Sequence, residues 1–193
     1  QVRELFELSR ARLLAASRRH GDGRELLCSA GDTPGCTLAC SFEGLYEIRP
    51  GNMTFYDMMQ VRLGACSPSQ IAVALACPVV AVHQQRGEAV LYAGAVHLSK
   101  DSIPAEDGTS MYGAVCELTG EGWSAPIEGA WIRSVSQEHG IARIPERTLR
   151  RLRPGDLLAI LPVHSCLTAE AMRGGITLDG VPVDHFTATR PII

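Results

Sequence analysis

The chain has 193 residues, of which 46% are hydrophobic and 20% are charged, a composition typical of a globular protein of one large domain or two small ones. Its net charge of −3 and the lack of any run of Lys and Arg argue against a nucleic acid or an anionic membrane surface as the main partner, which leaves small molecules as the expected ligands. No stretch has the roughly 20 apolar residues of a membrane helix, and the start of the chain is too charged for a signal peptide, so we expect a soluble, cytoplasmic protein.

The first third of the chain alternates a helix, strands and glycine loops. Residues 1–20 have apolar side chains at helical spacing, which predicts an amphipathic helix. Residues 25–31 and 42–48 are predicted as short strands, each followed by a glycine-rich loop, at 30–35 and 49–52. This order is typical of the last units of an α/β, TIM-like barrel, to which we assign residues 1–67.

The remainder, residues 68–193, is predicted to be an all-β domain, either a sandwich or a barrel. Its β-type runs are separated by Gly, Pro and Asp turns and cover residues 71–83, 88–98, 129–144, 156–166 and 176–190. The polar stretch 99–113 is predicted as a long surface loop. The seven cysteines include no CxxC pair, so we expect most of them to be reduced and buried rather than paired.

His164 and Cys166 end the most apolar of these runs. On a strand, residues two apart point to the same face, so the two side chains could converge on one ion. Imidazole with thiolate favours zinc, and His139 is a possible third ligand or outer partner. Spacing alone, however, favours two ordinary core residues over a metal pair. A cysteine nucleophile with His164 as its base is less expected, since a base two residues away on one strand is poorly placed.

The glycine loops are the second candidate site. The first offers backbone N–H groups and the hydroxyl of Thr33, and the second offers Gly51 and Asn52. Barrels often bind phosphate with the loops that follow their last two strands, although each loop taken alone is a common turn. Asp57 and Gln60, and Glu138 beside His139, are weaker candidates, more simply explained as a helix start and a strand-end cap.

Four motifs in this order resemble one family, the D-serine dehydratase and D-threonine aldolase group of alanine racemase-like, pyridoxal-phosphate enzymes. They are "AGDTPGC" (30–36), "EIRPGNMTFYDMMQVRLGAC" (47–66), "SVSQEHG" (134–140) and "LPVHSC" (161–166). The first two resemble the family's phosphate loops, the third its E-H-G motif and the fourth its P-x-H-x-C metal motif. The resemblance covers nearly the whole chain.

The resemblance implies a barrel that holds pyridoxal 5'-phosphate and a β domain that carries a zinc site beside it. Residue by residue, it assigns the metal to His164 and Cys166 and the phosphate to Thr33, Gly51 and Asn52. His139 matches the E-H-G histidine and is expected near the site. The family also implies a homodimer.

The cysteine of the metal pair bears on the reaction. Dehydratase-like relatives have H-x-C, whereas the aldolase branch tends to have aspartate in the place of Cys166. The resemblance therefore implies dehydration of a β-hydroxy D-amino acid to a 2-oxo acid and ammonia, with zinc activating the β-hydroxyl as a leaving group. An aldolase or racemase of the same group remains the alternative.

Three features depart from the family. Asp32 lies in the first phosphate loop, where its carboxylate would repel a phosphate unless it turns away or caps a backbone N–H. Met53 stands where a tyrosine is frequent. The Schiff-base lysine has no counterpart, since Lys100 is the only lysine. With Gln1 as first residue, we expect the C-terminal part of a longer lyase, inactive alone, the other explanation being a non-catalytic metal-binding module.

Overall fold

A computed structural model describes residues 1–21 and 26–184. Its α-helices are α1 Val2–His20, α2 Thr33–Leu38, α3 Met58–Arg62, α4 Ala95–Leu98, α5 Glu146–Leu149 and α6 Ser165–Met172. Its strands are β1 Ser29–Ala30, β2 Glu47–Ile48, β3 Leu75–His83, β4 Glu88–Leu91, β5 Ile103–Pro104, β6 Ser110–Met111, β7 Gly113–Thr119, β8 Gly122–Trp123, β9 Trp131–Val135, β10 Gly140–Arg143, β11 Leu157–Pro162, β12 Gly174–Ile176 and β13 Pro182–Asp184. Across the described residues, no helix is both long enough and apolar enough to span a membrane.

The second part of the chain folds as a closed antiparallel barrel. Its strands follow the order β11-β3-β4-β10-β9-β7, and a further pairing of β11 with β7 closes the circle. The short strand β8 pairs antiparallel with the end of β7. Closure pairs the backbone groups that an open sheet would leave free at its two edges. The prediction of a β domain is thus confirmed, with a barrel rather than a sandwich.

The barrel core consists of apolar side chains that are almost completely buried. Its principal members are Cys77, Val79, Leu91, Val115, Ile132, Ile144, Leu149 and Ile160. Burying each large aliphatic side chain contributes about 1.5–3 kcal/mol, so this cluster is the main source of the barrel's stability. All seven cysteines have free thiols and four of them are buried, as predicted.

The first part contains the predicted helix α1, which packs on α2, and two short parallel strands. Ser29 pairs with Glu47 and Ala30 with Ile48. Both strands are shorter than predicted, and residue 25 lies outside the described residues. The turn predicted after β1 is instead helix α2, because the Asp32 carboxylate accepts the backbone N–H of Gly35 at 2.6 Å and so caps the helix. The TIM-like barrel and the division at residues 67 and 68 stay predictions.

Two predictions for the second part need correction: run 88–98 ends as helix α4, and the predicted loop 99–113 contains the hairpin β5–β6. Within the described part of run 176–190, β12 ends at Ile176 and β13 covers Pro182–Asp184. Residues 185–190 lie outside the described residues.

The strand predicted through residue 166 is also wrong at its end. β11 ends at Pro162, and His164 is the N-cap of α6. His164 and Cys166 therefore do not share a strand face. Beyond the end of β11, the backbone N–H of Ser165 bonds the Asp57 carboxylate at 3.0 Å instead of a neighbouring strand, and α6 starts at this residue.

Candidate functional site

A buried polar network joins the two parts of the chain. The Asp57 carboxylate, only 1% exposed, accepts hydrogen bonds from the Asn52 side-chain amide at 2.5 Å, the Ser165 backbone N–H at 3.0 Å and the Gln60 backbone N–H at 2.9 Å. The Ser165 hydroxyl donates to the Asn52 side-chain oxygen at 2.6 Å. One carboxylate thus caps α3 through Gln60 and also receives the first N–H of α6.

The same network reaches the first glycine loop. The backbone N–H of Asn52 donates to the hydroxyl of Thr33 at 2.8 Å, and both side chains are buried. The backbone N–H of Arg49 donates to the Ala30 carbonyl at 2.8 Å, so the two loops leave neighbouring parallel strands side by side. The structure therefore brings together the two segments predicted as phosphate loops.

The three predicted phosphate residues differ in what they can offer a ligand. The side chains of Thr33 and Asn52 are engaged in the network just described. Gly51 is exposed, and a Cβ built on it would meet no atom within 4 Å, so there is open space beside its backbone. The Asp32 carboxylate caps Gly35, which is the arrangement that removes the expected repulsion.

Ser165, the central residue of that network, separates the two predicted metal residues. His164 is half-buried, and its Nδ1 lies 2.7 Å from Oδ2 of Asp101. Cys166 is also half-buried. Burial raises the pKa of its thiol, the Ser165 hydroxyl lowers that pKa by hydrogen bonding, and the negative charge of Asp57 raises it. No cluster of three or more His, Cys, Asp and Glu side chains suited to a metal occurs within the described ranges.

His139 lies in the E-H-G turn (residues 136–140), which docks on the start of α4. The backbone N–H of Gly94 donates to the Glu138 carbonyl at 2.9 Å, and a Cβ on Gly94 would fall 2.4 Å from the backbone of this turn. The rings of His139 and Tyr92 form a T-shaped pair with centroids 5.8 Å apart, and α4 packs against α6. In the described part of the chain His139 makes no hydrogen bond to His164, and α4 connects the E-H-G turn to the helix that follows the predicted metal motif.

Sequence reasoning missed Asp101 and Ser165 and undervalued Asp57. Asp57 had been explained as a helix start, which it is, but its contact with Ser165 spans 108 positions. Asp101 lay in a stretch predicted as loop, 63 positions from His164. No local sequence signal reports such contacts; the sequence shows only that Asp57 is an acidic residue at the start of a short helix.

The chain matches one family model, and its sequence is similar to those of several dehydratases. Residues 72–177 match the family model described as "Putative serine dehydratase domain". The chain is 30% identical to D-threo-3-hydroxyaspartate dehydratase of Delftia sp. strain HT23 over 146 residues, covering 72% of this chain and 37% of that protein. It is 33% identical to D-serine dehydratase of Dictyostelium discoideum over 150 residues, covering 73% and 36%. The chain thus spans little more than a third of these curated relatives.

Comparison with solved structures also finds a dehydratase, and this similarity extends over more of the chain. The D-threo-3-hydroxyaspartate dehydratase of Delftia sp. HT23 superposes with a TM-score of 0.81 at 26% identity, covering 95% of this chain and 50% of that one. It is also known as a histidine-to-alanine mutant and as a cysteine-to-alanine mutant in the metal-free form. An alanine racemase-like protein of Idiomarina loihiensis superposes with a TM-score of 0.75 at 26% identity, covering 94% and 48%.

Proposed function

Because the chain belongs to the serine dehydratase domain family, we propose that it is the C-terminal part of a pyridoxal-phosphate- and zinc-dependent lyase that dehydrates a β-hydroxy D-amino acid. The products are a 2-oxo acid and ammonia. One observation carries the proposal: Ser165, between His164 and Cys166, is hydrogen-bonded through Asp57 and Asn52 to the two glycine loops. This link supports assigning the metal residues and the phosphate residues to one site.

The donor set at the start of α6 fits zinc. His164 uses Nδ1 for Asp101 and keeps Nε2 for a ligand, and Cys166 supplies a sulfur. A metal ion displaces the proton of a coordinating thiol, so the raised pKa of Cys166 makes zinc affinity depend on pH but does not prevent binding. Two protein donors leave positions for water or for the substrate hydroxyl. In the Delftia enzyme, the histidine and cysteine chosen for mutation are two residues apart, which is the spacing found here.

The loops fit a phosphate by their shape. Gly51 leaves space beside its backbone, while Thr33 and Asn52 hold the two loops together. We assign Gly51 the direct contact and the other two residues the shaping of the loop. When bound, pyridoxal phosphate supplies an electron sink for charge at Cα, and zinc supplies Lewis acidity toward the β-hydroxyl.

The remaining assignments concern groups outside this constellation. His139 is proposed to lie near the substrate without ligating the metal. The Schiff-base lysine is proposed to lie outside these 193 residues, since the only lysine, Lys100, is exposed between α4 and β5. We further propose a cytoplasmic homodimer that acts on a small-molecule D-amino acid without a nucleic acid or membrane partner.

An activity assay on the whole protein that carries this chain tests the proposal. D-serine and D-threo-3-hydroxyaspartate are expected to give 2-oxo acids, and a metal chelator is expected to abolish the reaction. His164→Ala and Cys166→Ala are expected to lower kcat at least 10²-fold together with bound zinc, a loss typical of removing a group that stabilises developing charge. Cys40→Ala, which removes an exposed thiol, is the matched control and should leave both unchanged.

Two outcomes would contradict the proposal. Glycine formed from D-threonine without any 2-oxo acid from D-serine would indicate an aldolase. Full dehydratase activity in the presence of chelator would remove the metal from the mechanism.

A further inference from the structure

We propose that Asp101 is the positioning residue of the metal site: its carboxylate holds the His164 imidazole in the tautomer that carries its proton on Nδ1, which presents Nε2 as the ligand atom. The inference rests on the proposed metal role of His164. Its basis is the 2.7 Å contact between Asp101 Oδ2 and His164 Nδ1. This is the short distance of a charge-assisted hydrogen bond.

The direction of this hydrogen bond follows from the chemistry of the two groups. An ionised carboxylate only accepts, so Nδ1 of His164 must be the donor. A neutral imidazole has one proton on its two nitrogens, and Nε2 then keeps its lone pair. A metal requires that lone pair. Without a partner at Nδ1, imidazole favours the opposite tautomer, with the proton on Nε2, where it would block the metal.

The backbone before Asp101 is held in a conformation that aims the carboxylate. Ser99 has φ 68° and ψ −171°, a region that is essentially restricted to glycine and costs a residue with a side chain about 1–3 kcal/mol. The Ser99 hydroxyl accepts the backbone N–H of Asp101 at 3.1 Å. This strained turn leaves α4, which packs against α6, and so brings Asp101 to the residue that caps α6.

The competing explanation is an ordinary surface ion pair. The side chains of His164 and Asp101 are 34% and 43% exposed, and exposed pairs contribute only about 0–1 kcal/mol to stability. A mere ion pair would leave the neutral tautomer and the metal affinity unchanged when Asp101 is replaced. A positioning residue changes both. Outer partners of this kind typically alter metal affinity about 10–100-fold.

The first test reads the tautomer without any metal. The whole protein is labelled with ¹⁵N-histidine, and long-range ¹H–¹⁵N spectra are recorded above the pKa of histidine, with His164→Gln identifying the signal. We expect the Nδ1–H tautomer in the wild type and the Nε2–H tautomer in Asp101→Ala. Asp101→Asn retains an acceptor oxygen and is expected to restore Nδ1–H. Asp107→Ala removes a carboxylate of the same segment that pairs with Arg143 at 2.9 Å, and it should change nothing at His164.

The second test measures Co²⁺ affinity from the thiolate-to-cobalt absorption band, in the absence of substrate. Asp101→Ala is expected to raise the Kd about 10–100-fold, and Asp107→Ala to leave it within twofold. An unchanged tautomer or an unchanged Kd in Asp101→Ala would overturn the inference. A wild type that binds no Co²⁺ would instead overturn the metal role in the proposed function, while the tautomer spectra would still decide the role of Asp101.

Discussion

Replacing Asp57 by alanine should strongly destabilise the protein, because three donors depend on its buried carboxylate. The Asn52 amide, the Gln60 N–H and the Ser165 N–H would lose their acceptor. A buried donor left without a partner costs about 1–3 kcal/mol. Water entering the space left by the carboxylate offsets part of this sum, so we expect a loss of about 4 kcal/mol. That is a large share of the roughly 5–15 kcal/mol that holds a domain folded.

Asp32→Ala is the matched control. Asp32 is also an N-cap aspartate, but it is exposed and accepts one hydrogen bond, from the Gly35 N–H. Losing such a cap costs about 1 kcal/mol. Asp57→Asn keeps the shape and one acceptor oxygen but turns an amide N–H₂ toward the donors, so its loss should be intermediate, about 2 kcal/mol.

Urea unfolding followed by the fluorescence of Trp123 and Trp131 measures these differences. With an m-value of about 2 kcal/mol/M, the midpoint should fall by about 2 M for Asp57→Ala and about 0.5 M for Asp32→Ala. The reasoning is refuted if the two alanine variants agree within about 0.5 M. It is also refuted if Asp57→Asn is as unstable as Asp57→Ala, since the hydrogen-bond argument requires the amide to recover part of the loss.

Three further predictions concern the fold around the site. Ser99→Gly should be more stable to urea than Ser99→Ala by about 1 kcal/mol, because only glycine relieves the strain at φ 68°; equal stabilities would exclude that strain. Burial raises the pKa of the Cys77 and Cys116 thiols from 9.0 to about 12 in the folded protein. As pH rises above 9, these thiols therefore lose their protons in the unfolded chain before they do so in the folded one. The free energy of unfolding should fall by about 1 kcal/mol per thiol between pH 8 and 10. Urea curves of the two Cys→Ala variants should show a shallower fall, and a slope equal to wild type would contradict this. Gly94→Ala should cost about 2 kcal/mol through its clash with the E-H-G turn, whereas Gly120→Ala, which meets nothing within 4 Å, should cost under 0.5 kcal/mol in the same assay.

Much of the fold could be predicted because it follows from local patterns. The helix over residues 1–20 follows from helical spacing, and the β-type run 129–144 follows from its composition. The structure confirms both and divides the run into the antiparallel pair β9 and β10. The four ordered motifs identified the family, which the match over residues 72–177 confirms. The assignments of His164, Cys166, Thr33, Gly51 and Asn52 to metal and phosphate stay predictions.

The errors occurred where a distant group replaced a local preference. Residues 161–166 have the composition of a strand, but the chain leaves the sheet at Pro162 and starts α6, where Asp57 receives its first N–H. The choice between sandwich and barrel depended on the pairing of β11 with β7, which no property of either strand alone encodes.

By itself, the sequence determined the helix at the start of the chain, the β character of much of the second part and the family, because backbone preferences act over a few residues and the motifs are contiguous. Only the tertiary structure decided that the barrel closes, that Asp57 joins the glycine loops to Ser165, and that Asp101 meets His164. The hydrogen bond between Asp57 and Ser165 spans 108 positions, and the one between Asp101 and His164 spans 63. A hydrogen bond at such separation exists only where the whole path of the chain brings donor and acceptor within about 3 Å, and that path depends on all the packing between them.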